Sequence, residues 1–170
     1  KPPTTWKELI AYSDKLTIKN EKTGNLKQIG FLPIFQTTGN SHLFLYAYQK
    51  GGEFLSPDGK KVTCDASPIV SALEWIIDFN NRYGRDKVIR FQSGFAGVGN
   101  EALHPFLLNQ VAMITEGDYF AKIIEQNNKK LDYGVAQVPY PEDGQPATWS
   151  GGFCFVISPR AKYSEQAWKY

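Results

Sequence analysis

The sequence has few of the residues that bind metals or form disulfide bonds. Two cysteines (Cys64 and Cys154) and two histidines (His42 and His104) occur in 170 residues. Neither histidine has the spacing of a metal ligand, and no cysteine is close in sequence to a histidine. The cysteines either form one disulfide bond or stay free, and the sequence does not choose between these states. We therefore predict no metal and no cofactor.

The sequence also lacks long hydrophobic runs and clusters of basic residues. No run approaches the ~18 apolar residues of a membrane-spanning helix. The 19 basic and 17 acidic residues leave a net charge of +2, and the basic residues are scattered, which argues against nucleic acid as a partner. The chain begins at Lys1 without an apolar leader, so we expect it to be a piece of a longer protein. The missing leader says nothing about export.

Motifs of common enzymes are missing as well. The glycines of "GFAGVGNEA" lack the lysine of a phosphate-binding loop, and "TWSGG" does not have the frame of a nucleophile elbow. Glu101, Glu116 and Asp118 can in principle supply a catalytic carboxylate pair. Acids near a helix start are common for another reason, because they interact favourably with the helix dipole. The sequence therefore does not favour an enzyme.

Strands and helices are mixed along the whole chain, which predicts an α/β fold with a mixed sheet flanked by helices. Thr5 and Glu8 have the spacing of a capping box, and Ser67 before Pro68 is predicted to cap the clearest helix. The predicted core face of that helix consists of Ile69, Val70, Leu73, Ile76 and Ile77. Trp6 and Trp75 fall within helices and are interpreted as packing residues. The predicted helices are 2–16, 41–50, 67–84, 100–109, 118–127 and 162–170; the predicted strands are 29–34, 110–115, 133–139 and 153–158, with a hairpin at 53–63.

Aromatic residues are abundant, at 14% of the chain. They suit either a thickly packed core or a surface that grips something flat. The stretch "ITEGDYF", residues 114–120, favours the second reading locally. It follows an apolar strand and places two acids, a glycine and two aromatics side by side. A loop that only had to turn would not need Tyr119 and Phe120.

Six segments taken in order resemble one family. They are "PPTTWKEL", "GGEFLSPDGKKVTCDASPIVSALEWIIDF", "FLLNQVAMITEGDYF", "DYGVAQVPYPEDG", "TWSGGFCFVIS" and "SEQAWKY". The chain resembles extracellular solute-binding proteins of ABC importers, specifically the sugar-binding group (family 1) that includes maltose-binding protein. The resemblance implies a periplasmic-binding-protein-like fold (type II) with two lobes, and a full-length protein about twice as long. It also implies a carbohydrate ligand, permease membrane subunits as partners, and a location in the periplasm or, with a lipid anchor, at the cell surface.

The resemblance further implies how the chain is divided. Residues 1–147 correspond to the second, ligand-binding lobe, and residues 148–170 to a hinge return with a strand and helix of the other lobe. Without that lobe, residues 151–170 would pack back non-natively, pair with another copy of the chain, or be held by crystal neighbours. We therefore expect self-association through this segment.

The same resemblance implies the ligand-binding residues. Gly117, Asp118 and Tyr119, with Glu116, match the loop that lines the sugar cleft, although tryptophan is usual where Tyr119 stands. An aromatic ring covers the apolar face of a sugar, a carboxylate accepts from its hydroxyls, and glycine allows a close backbone.

Two further segments match cleft positions of the family. Trp149, Gly151 and Gly152 either contact the ligand or form a hinge turn. Ser41 and His42, after Asn40, either contact the ligand or belong to a helix start capped by Asn40 or Ser41.

Three functions remain open from the sequence. The first is sugar binding without catalysis. The second is a binding protein of the same shape for a polyamine or an iron complex, and Glu116, Asp118 and Tyr119 keep the polyamine version open. The third is a glycan-cleaving enzyme that uses Glu116 or Asp118.

Overall fold

The computed structural model describes residues 1–34, 41–95, 101–148, 150–151 and 155–169, without the side chain of Ser41. Helices pack around a small mixed sheet, so the predicted α/β class is confirmed. The helices are α1 (Trp6–Leu16), α2 (Ser41–Gln49), α3 (Ser67–Arg82), α4 (Arg85–Ser93), α5 (Phe120–Asn127) and α6 (Ser164–Lys169). The strands are β1 (Ile18–Lys19), β2 (Leu26–Phe31) and β3 (Val111–Met113), and a 3-10 turn spans Glu101–Leu103.

The central strand β2 organises the sheet, whose strand order is β1-β2-β3. It pairs antiparallel with β1 and parallel with β3, where Ile29 is opposite Val111 and Phe31 is opposite Met113. Because β2 and β3 run in the same direction, their carboxyl ends meet at one edge of the sheet. The segments that follow them are thereby brought together.

Helix α1 begins and packs as its sequence predicts. The Thr5 hydroxyl accepts from the backbone N–H of Glu8 at 3.2 Å, as expected for an N-cap. The Glu8 carboxylate reaches back one residue further than in a standard capping box and accepts from the Thr4 N–H at 2.7 Å. On β2, a Cβ at Gly30 would lie 2.2 Å from the Ser13 carbonyl oxygen. The missing side chain therefore lets α1 lie directly on the sheet.

The core has two large apolar clusters that share Trp75 at their borders. Trp6 stacks on Trp75 with ring centroids 4.0 Å apart, and Trp75 meets Phe79 edge-on. The interpretation of Trp6 and Trp75 as packing residues is confirmed. The buried residues of the first cluster are Leu9, Ile29, Phe31, Leu32, Phe79, Tyr83, Val88 and Val111; those of the second are Trp6, Leu45, Tyr46, Ala47, Ile69, Ala72 and Ile76.

The predicted N-cap of α3 is wrong, and its predicted core face is right only for Ile69 and Ile76. The N-cap is Ala66, which makes no side-chain bond, and Ser67 is already helical. The buried face is Ile69, Ala72, Ile76 and Phe79, while Val70, Leu73 and Ile77 are exposed. The buried set follows the three- and four-residue spacing of one helix face. The prediction favoured aliphatic size over this spacing and so passed over Ala72 and Phe79.

Several other predicted elements are shorter, shifted or missing. The central strand begins and ends three residues earlier than predicted, and the predicted hairpin is reduced to a single bridge between Leu55 and Val62. Residues 133–139 form no strand, although Tyr140 bridges Thr5 beside the start of α1. The predicted helix 100–109 is a 3-10 turn followed by further turns, which agrees with the helix-breaking effect of Pro105. Helix α4 was not predicted at all.

The C-terminal segment has helix α6 as predicted but no strand at residues 155–158. It also does not pack back on the rest of the chain. The Phe155 side chain is fully exposed (101%) and Trp168 is 83% exposed. Packing back on the lobe, one of the three alternatives for this segment, is therefore not seen in its described residues. Self-association through this segment stays a prediction, and the exposed aromatic surface supports it.

Two isoleucines that are neighbours in α3 provide a test of this core. Ile76 is 3% exposed and Ile77 is 48% exposed. We expect Ile76→Ala to lower the free energy of unfolding by about 2–5 kcal/mol, because it leaves a cavity in the core. The matched control, Ile77→Ala, should lower it by less than about 1 kcal/mol. Urea unfolding followed by circular dichroism measures both, and equal losses would contradict the observed orientation of α3.

Candidate functional site

The candidate site lies where the carboxyl ends of β2 and β3 meet. Residues 114–119 follow β3 directly and lead into α5, while the chain after β2 leads into α2. The His42 Nε2–H donates to the Thr115 carbonyl oxygen at 3.2 Å and so ties the start of α2 to the loop after β3. Two segments that are 73 residues apart in sequence are thereby placed side by side.

Tyr119 is the most prominent side chain of this edge. Its ring is 56% exposed, although the loop leaves a buried strand and enters a helix that begins with the buried Phe120. The Tyr119 hydroxyl donates to the Glu116 carboxylate at 2.7 Å. The sequence-based expectation that this ring is open to solvent is confirmed. Its role as a ligand contact stays a prediction.

Gly117 is required for this arrangement of the ring. A Cβ at Gly117 would lie 2.6 Å from Cε1 and 2.7 Å from Cδ1 of Tyr119. Any other residue would therefore push the ring away from the loop backbone. Gly117 and Glu116 together hold the Tyr119 ring in one orientation, with a face left in solvent.

Asp118 is exposed and is not explained by helix capping. Helix α5 has Tyr119 as its N-cap, and no side chain makes a capping hydrogen bond there. The alternative reading of Glu116 and Asp118, as acids that interact favourably with the dipole of α5, does not need a capping bond and stays a prediction. Both carboxylates lie next to the exposed Tyr119 ring in the loop sequence.

His42 has a structural contact that the sequence did not predict. The residue is 8% exposed, and its ring lies beside that of Tyr46, with centroids 6.4 Å apart. Tyr46 is fully buried, and its hydroxyl donates to the Pro33 carbonyl oxygen at 3.0 Å. Burial raises the pKa of Tyr46 well above its usual value. His42 and Tyr46 therefore form a fixed support beneath the edge, and a direct ligand contact of His42 stays a prediction.

Glu101 and His104 also belong to the surroundings of the loop; the sequence grouped Glu101 with Glu116 and Asp118 only as a possible carboxylate pair, and it did not place His104 there. The 3-10 turn that begins at Glu101 packs against α5, and the Glu101 charge acts on the Tyr119 hydroxyl. The His104 ring packs edge-on against that of Phe120, with ring centroids 4.6 Å apart, and its Nδ1 accepts from the Phe106 N–H. Burial lowers the pKa of His104. No spacing rule links Glu101 to Tyr119, so the sequence does not predict the effect of the Glu101 charge on the Tyr119 hydroxyl.

The second predicted cleft segment is only partly visible. Trp149 and Gly152 lie outside the described residues, as do Asn40, Cys154 and the side chain of Ser41. Gly151 is exposed, and no hydrogen bond in the described part of the chain joins it to the loop of Tyr119. Cys64 is a free, exposed cysteine.

The described residues contain neither a candidate metal-binding cluster nor a candidate membrane-spanning helix. Within these ranges, no group of three or more histidine, cysteine, aspartate or glutamate side chains is arranged to hold a metal ion. None of the helices there has the length and apolar character needed to cross a bilayer. The site offers an exposed aromatic ring, packed over Gly117, and the carboxylate oxygens of the same loop. These groups match a ligand with an apolar face and hydroxyls at its edge.

Residues 1–170 match the model of one protein family, described as bacterial extracellular solute-binding protein. The match covers the whole chain. The chain belongs to this family of extracellular solute-binding proteins. A search of curated proteins found no similar sequence.

Solved structures of solute-binding proteins resemble this member of the family. CpMnBP1 with mannobiose bound is 28% identical, with a TM-score of 0.70 over 86% of this chain. An ABC transporter solute-binding protein from Thermotoga lettingae, bound with α-D-tagatose, is 26% identical, with a TM-score of 0.71 over 99% of this chain. The maltose/maltodextrin-binding domain MalE from Bdellovibrio bacteriovorus is 21% identical, with a TM-score of 0.67 over 86% of this chain. The last supports the fold alone, and together they confirm the periplasmic-binding-protein-like fold.

The chain spans only part of these structures. It covers 36% of CpMnBP1, 36% of the MalE domain and 41% of the Thermotoga lettingae protein. These structures are therefore more than twice as long as this chain, and the expected ratio of about two between the lengths of a full-length member and this chain is too small.

The hydrogen bond between Tyr119 and Glu116 has a titration signature. Partial burial of the ring, then the Glu116 hydrogen bond and the nearby charges of Glu116 and Glu101, raises the pKa of Tyr119 to about 12. We expect Glu116→Gln to lower this pKa toward its usual value of about 10, because the substitution removes the negative acceptor. The measurement is an ultraviolet titration of the wild type and of Glu116→Gln. Subtracting the titration of the same protein with Tyr119→Phe isolates the signal of this one tyrosine.

The raised pKa of Tyr119 also makes the free energy of unfolding depend on pH. The folded chain keeps the Tyr119 proton at pH values where the unfolded chain, with a pKa of about 10, has lost it. This contribution to stability is present below pH ~10 and is lost as the pH rises toward about 12. Glu142→Gln, an exposed substitution of the same kind, is the control and should leave the Tyr119 titration unchanged. A wild-type Tyr119 that titrates near 10 would contradict the observed hydrogen bond.

Proposed function

We propose that the protein is the carbohydrate-binding subunit of an ABC importer, which binds a sugar without catalysis at the edge formed by β2 and β3. The exposed Tyr119 ring, held by Glu116 over Gly117, carries this proposal. A ring in this position covers the C–H face of a sugar, while Glu116 and Asp118 accept from its hydroxyls. The two structures above that are more than 25% identical to the chain, with mannobiose and α-D-tagatose bound, support a carbohydrate as ligand.

The proposal extends to the location and partners of the protein. An extracellular solute-binding protein works outside the cytoplasm, either in the periplasm or at the cell surface with a lipid anchor. There it would deliver its ligand to the membrane subunits of a permease.

The proposed division of the chain follows from the same picture. Residues 1–147 would form one ligand-binding lobe, and residues 148–170 would return through a hinge to the other. The exposure of Phe155 and Trp168 supports this division, because an apolar segment that belongs to another lobe has no partner here. Trp149, Gly151, Gly152, Ser41 and His42 remain proposed contributors to the cleft.

A polyamine-binding protein of the same fold is the second candidate. The specific observation in its favour is the set of acids around Tyr119, since Glu116 is bonded to its hydroxyl and the Glu101 charge acts on it. Carboxylates and an aromatic face also suit an alkylammonium ligand. Including spermidine in the ligand panel separates the two candidates.

The proposal predicts ligand-dependent stabilisation of the full-length protein. A thermal-shift screen against mono- and oligosaccharides should find a sugar that raises the melting temperature, because a ligand that binds only the folded state stabilises it. Tyr119→Ala should weaken binding of that sugar by about 1–3 kcal/mol, since a large aromatic contact is lost. Isothermal titration calorimetry measures the loss.

Tyr133→Ala provides the matched control for that substitution. Tyr133 is an exposed tyrosine of a later loop and should tolerate the change without loss of affinity. Stabilisation by spermidine alone would favour the second candidate. Unchanged affinity in Tyr119→Ala would remove Tyr119 from the site.

The proposed two-lobe site predicts that this chain alone binds weakly. Calorimetry of the 170-residue chain beside the full-length protein, with the sugar found in the screen, compares half a site with a whole one. We expect at least about a hundredfold weaker binding by the 170-residue chain, because contacts from the second lobe are missing. Equal affinities would mean that one lobe holds the complete site, and the proposed division of the chain would be wrong.

A further inference from the structure

Charge is distributed unevenly around the candidate site. The chain has 19 lysine and arginine residues and a net charge of +2, yet none of these basic residues lies in 28–49 or 91–121. The first stretch contains residues 28–31 of β2 and the whole of α2, and the second contains β3 with the loop that leads into α5. Lys27, at the start of β2, lies just outside the first stretch. The only acids of the two stretches are Glu101, Glu116 and Asp118. With three acids and no lysine or arginine, the two stretches carry a formal charge of −3.

All three acids lie in the segments that meet around Tyr119. Glu116 accepts the hydrogen bond from the Tyr119 hydroxyl, and Asp118 is the exposed residue next to it in the loop. Glu101 opens the turn that packs against α5, and its charge acts on the same hydroxyl. Carboxyl groups are negatively charged near neutral pH, so a ligand on the Tyr119 ring meets a negative potential.

Nearby cationic groups do not cancel this charge. Lys122 is the nearest lysine in sequence, but its exposed side chain forms no ion pair with any of the three acids within the described residues. His104 is kept from carrying a positive charge near neutral pH, because burial lowers its pKa. The described part of the edge is therefore acidic.

We infer that the site selects its ligand by charge: it accepts neutral sugars and amino sugars, and it rejects uronic acids and phosphorylated sugars. This inference rests on the proposed function and narrows its substrate class. Glu101 determines specificity through its charge alone, because it is not one of the proposed ligand contacts.

Coulomb's law sets the size of the expected effect. One like charge about 6 Å away, in water-like surroundings, weakens binding of an anion about threefold, and two such charges weaken it about tenfold. A hexuronate should therefore bind at least about tenfold more weakly than the hexose with the same stereochemistry. The corresponding hexosamine, which carries a protonated amine, should bind as well as the hexose or better.

The test is a competition titration of the full-length protein with matched probes. The probes are the hexose, hexosamine and hexuronate of the glucose, galactose and mannose series. The affinity ratio of hexose to hexuronate within one series is the readout. Raising the salt concentration from about 0.01 to 1 M shortens the Debye length from about 30 Å to about 3 Å and should bring this ratio toward one.

Glu101→Gln tests the structural assignment of the charge. The substitution should lower the hexose-to-hexuronate ratio about threefold. Because both affinities are measured in the same variant, a general loss of folding or affinity cancels from the ratio. Glu142→Gln is the matched control, since Glu142 is exposed in the loop whose Gln145 contacts the opposite end of α2, and its ratio should equal that of the wild type.

The outcomes separate this inference from the proposed function. If a hexuronate binds as tightly as its hexose, the charge selectivity is overturned while the sugar-binding function stands. An unchanged ratio in Glu101→Gln likewise overturns the role of Glu101. If no sugar of any series binds, the proposed function fails, and the inference fails with it.

Discussion

Parallel pairing between β2 and β3 is the constraint on which the rest of the structure depends. The register sets Ile29 opposite Val111 and Phe31 opposite Met113, and both strands end at the same edge of the sheet. Everything proposed for function follows from that edge. The loop after β3 carries Glu116–Tyr119, and the His42 contact to Thr115 fixes it against the start of α2. A shift of one residue in this register would turn the buried faces outward and separate the two segments.

In the proposed site, local contacts hold the Tyr119 side chain in place before any ligand arrives. Its hydroxyl is held by Glu116, its ring lies against the backbone at Gly117, and Phe120 anchors the following helix in the core. A side chain held in one orientation loses less conformational entropy on binding than a mobile one. The same Glu116 that orients the ring also contributes to the negative charge of the site. Orientation and charge selectivity therefore share one residue.

The sequence predicted the elements with strong local signals and missed those that depend on tertiary contacts. Thr5 and the apolar run at Val111–Met113 were predictable, because capping and strand signals are local. The buried face of α3 was not, since Ala72 is buried by its position rather than by its size. The strand predicted at 133–139 is absent, and Tyr140, just beyond it, forms an isolated β-bridge with Thr5.

In the candidate site too, the sequence predicted local features and missed long-range contacts. The loop Glu116–Tyr119 was predictable from its composition after an apolar strand and from the family resemblance. The effect of the Glu101 charge on Tyr119 and the hydrogen bond from His42 to Thr115 span 18 and 73 residues and have no sequence pattern. Long-range contacts of this kind are set by the sheet register, which the sequence alone did not reveal.

A crystal structure of the full-length protein with its bound sugar tests the central claim most directly. The account predicts that the sugar lies at the edge formed by β2 and β3, with carbon atoms of its ring within about 4.5 Å of the Tyr119 ring. It also predicts a sugar hydroxyl within hydrogen-bond distance of Glu116 or Asp118. A sugar bound elsewhere on the molecule, with Tyr119 still in solvent, would contradict the account.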